Sequence, residues 1–473
     1  MILRNLLTNL PEVRGPLQKR LAFKEKLKWT LIILIAFFVL SIIPLYGLGD
    51  APLAQFEQLS IILGAQFGSL MSLGIGPIVT ASIVLQLLTG SGLLKIDLTT
   101  HDGRLFFQGL QKILAIFFVI FEAIVYVKMG GLQPAAGISP WILIGQLIVG
   151  GILIIFMDEV ISKWGFGQGV SLFIAAGVSS QIVIRALSPL TTAGSLASIF
   201  SPKGDAPVGM IWVLARSVLG ADPTGALRAI SAILATVLVF VLAVYAQAMK
   251  VEIPLSFGRI RGHGIRWPLR FIYTSNIPVI LVAALIANIQ LWARLLQNRV
   301  AESGFLAWVS QHIFGQFAGN NLPISGLVYW TYSPNLAELA IVRAITPTVL
   351  LQSFTYILFM IVGAVIFSIF WVQTSGMDAR SQAHQIMSSG LSIPGFRRDE
   401  RVLERILKRY IFPLTIMGAI AVGFLAALAD LTGALSRGTG ILLTVMIVYK
   451  LYEEIAQQHM MDMHPALRKM MET

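Results

Sequence analysis

The chain has 473 residues and a formal net charge of +12, and 56% of the residues are hydrophobic while only 12% are charged. Soluble domains carry about twice that share of charged residues, so the composition excludes a water-soluble globular protein and indicates an integral membrane protein. There is no cysteine, which excludes disulfides, thiol catalysis and thiolate-bound metals.

The apolar segments are long and unbroken, without the period-two alternation of barrel strands, so they predict an all-α polytopic membrane protein. We predict ten transmembrane helices in chain order. The first five lie near residues 30–45, 75–88, 113–127, 141–157 and 170–187, and the other five near 230–248, 271–292, 346–371, 411–429 and 440–452. Residues 1–28 are too long for the charged region of an ordinary signal peptide, so the first span is predicted to be retained.

The second span, within LGIGPIVTASIVLQLL at 73–88, is too short and opens with a helix break. From Ile75 to Leu88 a helix rises only about 21 Å, against roughly 30 Å of hydrocarbon. The preceding residues, 56–74, are moderately apolar and carry several Gln and Ser side chains. This pattern predicts a re-entrant segment that completes the crossing, with the break marking a pore.

Basic residues fix the predicted orientation. With the N-terminus in the cytoplasm, 26 of the 35 Lys and Arg residues fall on the cytoplasmic side. Because basic residues near span ends resist translocation, we predict that both termini are cytoplasmic.

Two five-helix halves with inverted topology follow from the span count. Residues 1–187 form the predicted first half, 188–228 an external hinge connection, and 229–473 the second half. The second span of each half is interrupted, by Gly-Ile-Gly-Pro at 74–77 and by SNIP at 275–278. Interrupted helices at matching places indicate the working site of a transport protein.

Glu122 is the one acidic residue within the predicted spans. Ionisable residues at membrane depth are functional candidates, although a glutamate that only packs between helices is the alternative. Thr80 and Asn288 are polar residues that it could meet. An ion-coupled carrier normally needs more than one acidic residue within its spans, so a single glutamate argues against this class of protein.

Three other sequence features do not predict a catalytic or ligand-binding site. GLGD at 47–50 resembles an intramembrane aspartyl protease motif, but no second buried aspartate accompanies it. GFGQG at 165–169 lacks the strand that precedes a phosphate-binding loop, so we predict a tight turn. The six histidines are spread over loops and tails, so we expect neither a metal site nor a cofactor.

Two predicted cytoplasmic loops are basic, within 249–270 and 373–410, and carry Arg259, Arg261, Arg397 and Arg398. One explanation of this charge is the excess of basic residues that keeps a loop on the cytoplasmic side, together with attraction to anionic lipid. Long protruding basic loops also suit docking onto a polyanion such as ribosomal RNA.

Five motifs in order, LGIGPIVTASIVLQLL, GQGVSLFIAAG, VEIPLSFGRIRG, SNIPVIL and GTGILLTV, resemble the SecY family, in its archaeal and eukaryotic branch. The resemblance covers nearly the whole chain. It implies a ten-helix, hourglass-shaped channel that passes unfolded polypeptides across the membrane and releases hydrophobic segments sideways into lipid.

The resemblance also implies roles for particular residues. A plug helix would occupy about 56–68, and Thr80, Glu122 and Asn288 would lie near a lateral gate between spans two to three and seven to eight. The family's apolar pore ring maps onto Ile75, Val79, Val170, Ile174, Ile280 and Leu443. Val170 and Leu443 replace isoleucines that the family favours and keep the apolar character.

The implied partners are small single-span Sec subunits of the SecE (gamma) and beta types, a ribosome on the cytoplasmic loops, signal sequences, nascent polypeptides and membrane lipid. The implied location is the cell (plasma) membrane. We predict no enzymatic activity, because paired catalytic residues at membrane depth and a nucleotide-binding motif are both lacking. The alternative function is a broken-helix secondary transporter for a small solute.

Overall fold

The structure is a computed structural model that describes residues 11–18, 21–49, 67–94, 96, 100–191, 206–257, 264–299, 308–318, 322–388, 391–392 and 399–463. Each of the ten predicted spans coincides with a helix. The helices of the first half are α1 Phe23–Ile42, α2 Gly76–Gly90, α3 His101–Lys128, α4 Pro140–Trp164 and α5 Gly169–Leu187. Those that follow are α6 Met210–Leu219, α7 Pro223–Ala248, α8 Ile277–Arg299, α9 Gly326–Trp330, α10 Leu336–Ile341, α11 Pro347–Thr374, α12 Ala379–Ser388, α13 Glu400–Leu431 and α14 Gly438–Met463.

Seven of these helices are long and apolar enough to cross a membrane by themselves: α3, α4, α5, α7, α8, α11 and α13. Helices α1 and α14 have apolar centres but carry charged residues at one end, and α2 is short. The ten together give the predicted all-α membrane fold, which is confirmed.

Several helices extend beyond the apolar segments that predicted them. Helix α1 begins at Phe23 rather than 30, and α14 continues past 452 to Met463. Helix α13 starts at Glu400, where the Asp399 side chain accepts a hydrogen bond from the Arg401 backbone N–H at 3.0 Å. Hydropathy detects only the membrane-embedded part of a helix, because polar turns outside the membrane remain helical without apolar side chains.

A small antiparallel sheet, which the sequence analysis did not predict, occupies the two basic loops. It comprises β1 Lys250–Phe257, β2 Gly264–Arg270 and β3 Leu391–Ser392, in the order β2-β1-β3. The register runs from Lys250 opposite Arg270 to Ser256 opposite Gly264, and Ser256 also faces Ser392. A second apolar core supports it, formed by Ile253, Leu269, Ala383, Ile386, Leu403 and Leu407. The described parts of the two loops therefore form one unit beside α12 and α13.

The residues before α1 brace the ends of α3 and α4 on the same side of the membrane as the sheet, which we call the N-terminal face. The Val13 backbone N–H donates to Glu159 at 3.0 Å, and the Trp164 indole donates to the Arg14 carbonyl at 2.9 Å. Lys112 of α3 donates to the Pro11 carbonyl at 2.6 Å and pairs with Glu159 of α4. The bracing joins α3 and α4 at this face.

The main hydrophobic core is continuous through both halves of the chain. Within it α2 packs on α3, α8 packs on α11, and α14 packs on α5 and α7. The break before α2 lies inside this core.

Candidate functional site

The break before α2 is a tight turn at buried depth. Gly74 has a φ of 54°, a left-handed conformation that favours glycine, and Pro77 stands in the first turn of the helix. Leu73 and Ile75 are each 1% exposed. A helix that starts here runs only from mid-membrane to the N-terminal face, in agreement with its short length.

Backbone and side-chain partners satisfy the non-helical residues ahead of the break. Leu45 N donates to the Gly68 carbonyl at 2.8 Å, and Leu70 N donates to the Ile43 carbonyl at 2.9 Å. The Ser72 hydroxyl accepts from Gly68 N at 3.0 Å. These bonds allow irregular backbone to persist at membrane depth, where unsatisfied polar groups are costly.

A glycine in α4 makes room for this segment. A Cβ atom built on Gly150 would lie 1.9 Å from the Leu70 carbonyl oxygen, so no larger residue fits without moving the backbone. The segment is thereby packed directly against α4.

The six residues assigned to the apolar ring come from four parts of the chain and either belong to the main core or pack against it. Ile75, Val79, Ile174, Ile280 and Leu443 are 7% exposed or less, and Val170 is half-buried against the same core. No charged side chain belongs to the set.

A cavity of about 1640 Å³ opens from this region toward the N-terminal face. Its inner walls include Val79, Val170 and Ile280, and its outer walls include the charged residues Lys112 and Arg380. We call this cavity the vestibule; both charged and apolar side chains line it. Ile83, on α2 as well, does not line it.

The three polar residues predicted to lie near each other do so. The Asn288 side-chain amide in α8 donates to the Thr80 hydroxyl in α2 at 3.1 Å, and the Thr80 hydroxyl lies 3.2 Å from the Glu122 carboxyl oxygen in α3. Glu122 is 6% exposed. Three helices from the two halves are joined by this one cluster, which we call the polar triad.

The turn at 165–168 positions Val170 of the ring. The Asp158 carboxylate in α4 accepts from the Val170 backbone N–H at 2.8 Å, which satisfies a free donor at the start of α5. A Cβ on Gly169 would lie 2.6 Å from the Asp158 Cα, so the two helices touch at this point. The residues form a tight turn and no phosphate loop.

Asp430, near the end of α13, is a further acidic residue that the sequence analysis did not single out, because α13 continues past the predicted end at 429. The Tyr356 hydroxyl donates to Asp430 at 2.5 Å, and the Thr439 backbone N–H donates at 2.8 Å. The Thr439 hydroxyl donates to it as well. Asp430 therefore joins α11, α13 and α14. An aspartate at the end of an apolar run, eight residues before the GTG motif, was the available signal.

Other predicted features fall outside the described residues. These are Arg259, Arg261, Arg397 and Arg398, and residues 56–66 of the plug segment. Among the residues that the structure describes, no group of His, Cys, Asp and Glu side chains could hold a metal ion.

The fold and this site define a multi-pass membrane channel, with a vestibule lined in part by apolar side chains and with a broken helix. The family model of SecY matches residues 69–452. The chain is 45% identical over 470 residues to the protein translocase subunit SecY of Methanothermobacter thermautotrophicus, covering 98% of this chain and 97% of that protein. It is 40% identical to the same subunit of Methanocaldococcus jannaschii, with 98% of each chain covered.

Solved structures agree with these relatives. A protein-conducting channel superposes with a TM-score of 0.80 at 38% identity, and Sec61 from a canine ribosome-channel complex with a TM-score of 0.77 at 38% identity; each covers 98% of both chains. The chain belongs to the SecY family. The predicted resemblance is thus confirmed, and a channel for polypeptides is favoured over a carrier for small solutes.

Proposed function

We propose that this chain is the central pore-forming subunit of a Sec protein translocation channel. It passes unfolded polypeptides across the membrane and releases hydrophobic segments sideways into lipid. The observation that carries the proposal is that apolar side chains from three parts of the chain, Val79, Val170 and Ile280, line the vestibule. Ile75, Ile174 and Leu443 belong to the same main core.

An apolar ring suits a substrate that presents every kind of side chain. Hydrogen-bonding groups in a constriction would retain some segments, whereas branched apolar groups bind none strongly. A narrow apolar constriction also tends to lose its water, which resists ion leakage. We propose this role for Ile75, Val79, Val170, Ile174, Ile280 and Leu443, with residues 56–68 as a plug.

The polar triad supports a lateral gate between α2 and α3 on one side and α8 and α11 on the other. One hydrogen bond of the triad, from Asn288 to Thr80, joins helices of opposite halves, so it can be exchanged when a hydrophobic segment enters. A sufficiently apolar segment then prefers the lipid. The halves, 1–187 and 229–473, would move about the connection at 188–228, which includes α6.

Partners and location follow from the same proposal. We infer that small single-span SecE-type and beta-type subunits bind the chain and that a ribosome binds the basic loops. We also infer that the chain lies in the plasma membrane with both termini in the cytoplasm. The chain holds no catalytic chemistry in this proposal, and a partner supplies the driving force.

Crosslinking tests the proposal, and the cysteine-free chain gives no background. Val79→Cys in α2 should crosslink to a polypeptide arrested midway through the channel. Ile83→Cys, one helical turn further on, is the matched control because Ile83 does not line the vestibule. Equal crosslinking at both positions, or none at Val79, would refute the assignment of the pore.

A further inference from the structure

The segment between α8 and α11 is unlike the other loops in charge. From Ser303 to Ala337 it contains no Asp, Glu, Lys or Arg. Its described residues, 308–318 and 322–332, include a π-helical turn at Ser310–Phe314 and the short helix α9. We call these residues the cap; they lie on the membrane face opposite the N-terminal face.

The cap is fixed to the outer end of α8. The Gln297 side chain donates to the Phe317 carbonyl at 3.0 Å and accepts from the Phe317 backbone N–H at 2.9 Å. The Phe317 ring covers the Arg294 guanidinium, 4.6 Å from the ring centroid. Arg294 is 8% exposed, so the cap shields a charged side chain of α8 from solvent.

The cap is also fixed to α11. The Gln352 side chain donates to the Tyr329 carbonyl at 2.9 Å, with the Tyr332 carbonyl at 3.4 Å. Within the cap, Val328 and Thr331 are buried. The cap, α8 and α11 are therefore one unit at this face.

The outer surface of the cap is apolar. Six of its large apolar side chains are exposed: Trp308, Ile313, Leu322, Ile324, Leu327 and Trp330. A water-facing surface rarely exposes so many in a short segment. The adjoining first turns of α11 expose Leu350, Leu351 and Phe354, which belong to a membrane-spanning helix and face lipid.

We propose that the cap lies in the membrane–water interface and binds the lipid headgroup region through these side chains. Three observations select lipid as the occupant: continuity with the lipid-facing end of α11, the lack of charge, and tryptophans, which are enriched at this depth. The anchored cap holds the outer ends of α8 and α11 at one depth, so they move together. That consequence for gating rests on the proposed function; the lipid contact does not.

Site-directed fluorescence quenching tests the contact in the full chain, purified with any subunits that accompany it and reconstituted into phosphatidylcholine vesicles. Trp308→Cys and Trp330→Cys each carry one environment-sensitive fluorophore. Phe354→Cys provides a lipid-facing reference, and Thr224→Cys, exposed beside the Asp222 carboxylate, provides a water-facing reference. The quenchers are phosphatidylcholine with a nitroxide near the headgroup and aqueous iodide.

The cap labels should be quenched by the nitroxide lipid at least about twofold more than the Thr224 label, and by iodide correspondingly less. Ile324→Asp should reduce nitroxide quenching of the Trp330 label, since a charge resists entry into the interface. Iodide quenching equal to that of the Thr224 label would overturn the proposal. Protection from both quenchers would overturn it too, because a protein subunit would then cover the cap.

Discussion

Asn288 in α8 donates a hydrogen bond to Thr80 in α2 at 3.1 Å, across the boundary between the two halves of the chain. The two residues are 208 positions apart. The Thr80 hydroxyl also lies within hydrogen-bonding distance of Glu122 and of the Gly76 carbonyl at 2.9 Å. One hydroxyl thus links the broken helix to two neighbouring helices.

Loss of this hydrogen bond should favour the open gate. We expect Asn288→Ala to lower the hydrophobicity that a signal segment needs for insertion, since it removes a bond worth about 1 kcal/mol, a shift of about fivefold. Thr80→Val also removes the contact with Glu122 and should lower it at least as much. The measurement is insertion efficiency over a series of signal segments of graded hydrophobicity. Thr80→Ser keeps the hydroxyl and should behave as the parent; a shift of equal size there would contradict the role of the hydrogen bond.

The end of α2 at the N-terminal face rests closely on α11. A Cβ on Gly90 would lie 2.3 Å from the Phe370 ring. We expect Gly90→Val to force α2 away from α11, which a longer distance between spin labels on the two helices would report. Gly145→Val in α4, where a Cβ meets no atom within 4 Å, is the control and should leave the distance unchanged.

Asp430 is expected to be a structural residue. Asp430→Ala leaves the Tyr356 hydroxyl and the Thr439 backbone N–H without their acceptor, so we expect a loss of about 2 to 3 kcal/mol in unfolding free energy. Thermal unfolding in detergent measures it. Tyr356→Phe removes one hydrogen bond only and should cost about 1 kcal/mol. Equal losses in both variants would show that the Asp430 carboxylate itself contributes little.

Ribosome docking on the basic loops predicts a charge-dependent affinity. We expect the double variant Arg397→Glu with Arg398→Glu to bind ribosomes more weakly than the parent chain. The affinity of the parent chain should fall steeply with rising salt, because phosphate contacts release counterions. Co-sedimentation of the reconstituted chain with ribosomes measures it. Arg343→Glu, a single charge reversal predicted on the other side of the membrane, is the control and should leave ribosome binding unchanged. Unchanged affinity in the double variant would favour an interaction of these loops with lipid.

The spans and the break at Gly74–Pro77 could be predicted from sequence because each depends on local properties. Hydropathy sums the transfer free energies of consecutive residues, and the interrupted second span is visible as a helix too short to cross the membrane. Ile75 and Val79 share a helical face by periodicity alone. Residue type suggested that Thr80, Glu122 and Asn288 lie close together, because buried polar side chains need hydrogen-bond partners.

Tertiary structure decided the contacts that join distant segments. Nothing local to Gly150 indicates that the Leu70 carbonyl will lie against it, and nothing near Gly90 indicates the Phe370 ring. Asp430 acquires its role only because α11 and α14 bring Tyr356 and Thr439 to it. The sheet joins β1 and β2 to β3, which follows in sequence only after α8 and α11 have crossed the membrane. Such contacts depend on the angles and distances at which helices pack, and these follow from the fit of whole surfaces, which a window of neighbouring residues does not contain.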